Sequence, residues 1–113
     1  MHEYSLMLAL MERVEQEAAS RHAVAVHRVR VRIGELSGVE PELLESAFSI
    51  VRDRTICEKA VIEITRVPAQ WECSRCQTPL KAGDLLQCAA CGAPARLASG
   101  DEMLLEQIEM EVP

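Results

Sequence analysis

Four of the five cysteines fall into two short motifs, Cys73-Ser-Arg-Cys76 and Cys88-Ala-Ala-Cys91-Gly92, with eleven residues between them. Two residues between cysteines let both thiolates reach one ion while backbone N–H groups turn toward the sulfurs, and a glycine after the second cysteine eases the turn. Two such knuckles supply a closed tetrahedral site, which suits structural zinc. Iron of the rubredoxin kind and a pair of redox disulfides use the same residues. Four thiolates leave no open position for water, so a zinc held this way is structural, and its binding supplies most of the folding free energy of the segment around it.

The second candidate chemistry lies at the start, Met1-His2-Glu3. The amine of Met1, the backbone amide of His2 and the imidazole Nδ1 stand in succession. With the amide deprotonated they form fused chelate rings, an all-nitrogen planar array that favours Ni(II) or Cu(II). Binding should weaken as pH falls, because amine and imidazole must both be deprotonated. A large second residue keeps Met1 in place. Glu3 adds a carboxylate, and Glu40, in the loop before a later helix, is a further oxygen donor. The alternative is a frayed terminal histidine. His22 lies near a helix end, where an imidazolium is favoured. His27 has the parity of the apolar face of a strand, and the lone Cys57 reads as a small buried hydrophobe.

These groups need elements to position them. Met7, Leu10, Met11, Val14 and Ala18 recur at helical spacing and predict a helix from Tyr4 to about His22, with Ser5 or Glu3 where a cap sits. From Ala25 to Ile33 the period is two: Val29, Val31 and Ile33 against Arg28, Arg30 and Arg32. The arginines suit a solvated sheet face, or a docking strip for an acidic partner. Pro41 suits the first turn of a second helix with Leu44, Ala47, Phe48 and Val51 inside. Ala60, Ile62 and Ile64 mark a second strand, and Ile108, Met110 and Val112 a third. Between Ala69 and Ala98 large apolar residues are few, so that stretch cannot build its own core and needs a staple. Turns are expected at Thr78-Pro79 and Gly83-Asp84. The fold class is therefore α+β: two helices on a three-stranded sheet formed by residues 1–68 and 99–113, with a ribbon-like zinc module, 69–98, inserted.

Composition bounds the function. A net charge of −6 and a pI near 5.0 argue against a general nucleic-acid binder. Three aromatics in all leave an aliphatic core and little for stacking on bases. No apolar run approaches the length of a membrane span, and the C-x-x-C pairs suit a reducing compartment, so a cytoplasmic protein is expected. No set of catalytic acid, base and nucleophile is evident, so no enzyme is expected.

Along its full length the sequence resembles the HypA/HybF family of hydrogenase nickel-incorporation proteins. MHEYSL, VRVRIGELSGVEPELLESAF, the two C-x-x-C pairs and GDEMLLEQIEMEV carry the resemblance, in that order. It implies a nickel metallochaperone that binds Ni(II) near Met1, His2 and Glu3, with Glu40 at an acidic position linked to nickel, and zinc on Cys73, Cys76, Cys88 and Cys91. It implies partners: a GTP-hydrolysing accessory protein and the large subunit of [NiFe] hydrogenase, with urease served in some organisms. Monomers and homodimers both occur in the family. The first knuckle departs from the pattern in lacking a glycine after Cys76. The rival class is a nucleic-acid-binding zinc ribbon, supported by Arg28, Arg30, Arg32 and Arg75.

Overall fold

The computed structural model describes residues 2–80 and 86–113. The first apolar stripe forms α1 (His2–Ser20), which starts two residues earlier than its periodicity predicts, so His2 and Glu3 lie in the first turn and Ser5 is inside the helix. It ends without glycine. His22 takes the left-handed conformation (φ 56°), and Ala23 N–H returns to Ala18 O at 2.9 Å. His22 is thus a turn residue, in a conformation glycine more often fills.

β1 (Ala25–Gly34) follows, then α2 (Pro41–Val51) and β2 (Val61–Val67); β5 (Met103–Glu111) closes the sheet. The order is β2-β1-β5, with β1 central, parallel to β2 and antiparallel to β5. Both helices cover one face. Met7, Leu10, Met11 and Val14 meet Val26, Val29, Val31, Ile33, Leu44 and Phe48 in one aliphatic core, joined by Cys57 and Ala60. Full burial of each large aliphatic chain contributes about 1.5–3 kcal/mol.

Two bulges break the strict alternation. Register shifts between Val26 and Arg28, so the extra residue, His27, turns to solvent and pairs with Glu111 (3.1 Å). The apolar-face parity expected of His27 is thereby overturned, and Val26 and Val29 both point inward. Opposite, Glu106 is the extra residue in β5, which brings Leu105 and Ile108 to the same side. Val112 lies beyond the strand and is exposed rather than inward.

The open face of the sheet carries the arginines. Arg28 meets Glu63 (2.9 Å) and Glu109 (3.1 Å); Arg30 meets Glu63 (3.0 Å) and Gln107 (2.9 Å). These are cross-strand neighbours in the register. Two of the three arginines are therefore committed within the sheet, as the solvated-face reading expects, and each pair contributes about 0–1 kcal/mol.

Between β2 and β5 the chain leaves the sheet and returns as a separate antiparallel pair, β3 (Gln70–Cys73) with β4 (Ala95–Ser99). Both tethers are held by the last residue of β1 and the two that follow it. Glu35 N–H bonds to Val67 O (2.8 Å), Leu36 N–H to Gly100 O (2.7 Å) and Gly34 N–H to Glu102 O (2.8 Å). Glu35 Oε1 accepts from Ala69 N–H (2.8 Å). Gly34 lies so close to Gly100 that a Cβ there would fall 2.3 Å from its carbonyl carbon.

Candidate metal centre and amino-terminal site

The two knuckles have the same backbone wiring. In the first, Gln77 N–H bonds to Cys73 O and Cys73 N–H to Thr78 O, both at 2.9 Å. In the second, Gly92 N–H bonds to Cys88 O and Cys88 N–H to Ala93 O, also at 2.9 Å. Each turn needs a left-handed residue after its second cysteine. Gly92 supplies it at φ 75°, and Gln77 supplies it at φ 61° despite its Cβ. The missing glycine thus leaves the geometry intact, at a strain of about 1–2 kcal/mol. The turn expected at Gly83-Asp84 lies outside the described residues.

All four sulfurs lie within 4.8 Å of one another, with Cys91 Sγ 3.4 Å from both Cys73 Sγ and Cys76 Sγ. A tetrahedron with metal–sulfur bonds of about 2.3 Å has edges of about 3.8 Å, so the cluster fits a tetrahedral thiolate site. Cys73 and Cys88 are buried; Cys76 and Cys91 face outward. The N–H groups of Cys76 (3.2 Å) and Arg75 (3.4 Å) both point at Cys73 Sγ. Chiefly the Cys76 N–H, then that of Arg75 and the neighbouring sulfurs, bring the Cys73 thiol down to about 6 against an opposing burial effect. Cys76 is pushed the other way, to about 12, by the sulfurs of Cys91 and Cys73. Cys73 is set up to ionise, and Cys76 resists adding a second negative charge beside it. A dication among them removes that conflict.

The amino-terminal residues gather at the other end of the β1–α2 loop. In the first turn of a helix the backbone N–H groups have no intrahelical acceptor, so the His2 amide is free for another use. His2 is exposed, and its Nδ1 stands 3.8 Å from Glu3 Oε2. Glu3 is the one buried charged residue among those described. Its Oε2 accepts the Glu40 backbone N–H at 3.2 Å. That bond, followed by the carboxylate's contact with its own N–H and by His2, holds the Glu3 carboxyl below its ordinary value. The structure therefore brings His2, Glu3 and the main chain of Glu40 together. The Glu40 carboxylate is not gathered with them: among the described residues the four cysteines form the only converged group of three or more His, Cys, Asp or Glu ligand atoms. Met1 lies outside the described residues. The Glu40 main chain, rather than its side chain, is the contact that spacing along the chain does not reveal.

Cys57 is fully buried, and desolvation, with Glu15 nearby, pushes its thiol up to about 11. It packs as a hydrophobe. No helix among the described residues is long and apolar enough to cross a membrane.

Comparison with known proteins places these sites in context. A family model described as "Hydrogenase/urease nickel incorporation, metallochaperone, hypA" matches residues 1–110. The hydrogenase maturation factor HypA of Wolinella succinogenes is 41% identical over 98% of this chain and 96% of its own length. That of Nitrosospira multiformis is 42% identical, covering 97% of each. Among solved structures, the solution structure of the Ni metallochaperone HypA from Helicobacter pylori aligns with TM-score 0.75 at 30% identity over 98% of both chains. Another HypA solution structure aligns with TM-score 0.81 at 32% identity, covering all of this chain and 98% of the other.

Proposed function

The chain belongs to the HypA family of hydrogenase and urease nickel-incorporation metallochaperones, and we propose that it takes Ni(II) at its amino terminus and hands it to the large subunit of [NiFe] hydrogenase. One observation carries the reading: His2 Nδ1 faces a Glu3 carboxylate that the Glu40 N–H fixes in place, at a helix start, where the first N–H groups have no intrahelical acceptor. The Met1 amine, the His2 amide and the His2 imidazole bind the cargo ion. Glu3 lies beside them as a fixed acceptor, held by the Glu40 N–H of the adjoining loop. The site is exposed, so delivery is ligand exchange with the acceptor's thiolates, and no catalytic step is needed. A GTP-hydrolysing accessory protein acts with the chain in the cytoplasm.

The four cysteines hold zinc as a structural ion. Residues 69–98 form the zinc module, and residues 1–68 with 99–113 form the nickel-binding domain. A nucleic-acid-binding ribbon is the weaker reading: Arg28 and Arg30 are spent on Glu63, Glu109 and Gln107.

Nickel titration of the untagged, zinc-loaded chain tests this. His2→Ala and a chain extended by one residue before Met1 should both weaken nickel binding at least tenfold and keep their zinc. Native-like nickel binding by the extended chain removes the amine from the ligand set. Native-like binding by His2→Ala as well removes the site.

A further inference from the structure

β5 is an edge of the three-stranded sheet. The direction of its free backbone groups follows from one bond. Gly34 N–H donates to Glu102 O, one step beyond the Ile33–Met103 pairing. Bonded and unbonded pairs alternate in an antiparallel ladder. Met103 and Leu105 therefore turn their N–H and C=O groups away from β1, toward the open edge, the arrangement that accepts an added strand.

A groove of about 620 Å³ runs along this edge, with residues 105–110 on one side and Arg13, Glu17 and Arg21 of α1 on the other. Arg13 has no ion pair among the described residues, and Arg21 has only a loose 4.0 Å contact with Glu17. The three side chains are four residues apart, so they follow one line along the helix. From Arg13 to Arg21 that line covers about 12 Å. Four residues of an extended strand cover about 13 Å, and its positions i, i+2 and i+4 share a face.

We propose that the β5 edge is a docking site for an extended segment of a partner protein, which adds as a fourth strand and presents acidic side chains at i and i+4 to Arg21 and Arg13, with a basic one between them at Glu17. The charge order of α1 selects this occupant. It disfavours a second copy of the chain, because β5 carries Glu106, Glu109 and Glu111 but no basic residue and so offers no cation to Glu17. Docking at this edge does not use His2, Glu3 or the cysteines, so it is independent of the nickel reading.

The test uses the full zinc-loaded chain and two synthetic peptides of alternating threonine and valine. One carries Glu, Lys and Glu at successive same-face positions; the other carries Lys, Glu and Lys. Affinity and amide hydrogen exchange are read together. The Glu-Lys-Glu peptide should bind, slow exchange at Met103 and Leu105, and bind at least tenfold tighter than its counterpart. Arg13→Glu with Arg21→Glu, both on the exposed face, should reverse the preference. Leu105→Pro, which removes an outward N–H, should abolish binding of either peptide. Equal affinity for the two peptides, no binding at about 1 mM, or protection away from β5 overturns the proposal. So does protection of Met103 and Leu105 that rises with protein concentration alone, which marks the edge as a self-association surface.

Discussion

Replacing Gly34 by alanine should be far more damaging than replacing Gly38, although only Gly38 has a backbone unfavourable to alanine. Gly38 stands at φ 80° with nothing within 4 Å of a new Cβ. Its alanine variant meets left-handed strain alone, about 1–2 kcal/mol. Gly34 shows no left-handed φ, but its Cβ would lie 2.3 Å from both the carbonyl carbon and the oxygen of Gly100 and 2.8 Å from Asp101 N. Carbon atoms in contact sit about 3.5–4.0 Å apart, so the returning tether must move by more than about 1 Å. Overpacking of this kind costs about 1–3 kcal/mol. The movement also strains the Gly34–Glu102 and Leu36–Gly100 bonds, each contributing about 0.5–1.5 kcal/mol. Against this, alanine gains about 0.5–1 kcal/mol over glycine in an extended backbone. The net is about 3 kcal/mol, which in a chain of this size lowers Tm by about 12 °C. Thermal unfolding of the zinc-loaded variants, followed by far-ultraviolet circular dichroism, measures it. A Gly34→Ala chain that melts within about 4 °C of the native one, or above the Gly38→Ala chain, refutes the steric account of this crossing.

Three further outcomes follow from the geometry. Gln77→Gly should relieve the left-handed strain in the first knuckle and tighten zinc binding several-fold in a chelator competition, whereas Gly92→Ala should weaken it. Cys57 has a folded-state value raised to about 11 from 9.0, so its contribution to stability is complete below about pH 9 and is lost as pH rises toward 11. Urea unfolding should show a native stability falling by roughly 2–3 kcal/mol across that interval, and a Cys57→Ala chain should lack this component of the fall. Chelation of zinc should release the amide protection of β3 and β4 while that of β1 persists, and it should change the nickel spectrum, because the loop from Gly34 to Glu40 touches both tethers and Glu3; identical nickel spectra in a still-folded core argue against the coupling.

The cysteine spacing made the metal cluster legible, because two-residue spacers dictate a local turn whatever the surrounding fold. The alternation of Val29, Val31 and Ile33 fixed the face of β1 for the same local reason, and Pro41 marked the start of α2. What sequence did not reveal depends on contacts between distant segments. A bulge is an offset between two strands, so the outward turn of His27 needs the register of β5 as well as the pattern of β1. The Glu3–Glu40 contact joins the start of one helix to the approach of another. The need for Gly34 comes from Gly100, and nothing in Gly34's neighbours along the chain announces it. The early start of α1 also escaped, since His2 and Glu3 carry none of the apolar stripe.

The central place of β1 also sets an order of assembly. Its partner on one side, β5, follows β1 and β2 in the chain, so the sheet lacks that strand until residues 103–111 have left the ribosome. Residues 68–102 separate the two sheet strands β2 and β5 as a 35-residue loop. Once a metal clips the knuckles and β3 zips onto β4, the effective loop shrinks to a few residues. Shortening it about sixfold lowers the entropic barrier to closure by about 1.5 kcal/mol. A metal bound to the knuckles during synthesis would thereby speed the completion of the sheet by the nascent chain.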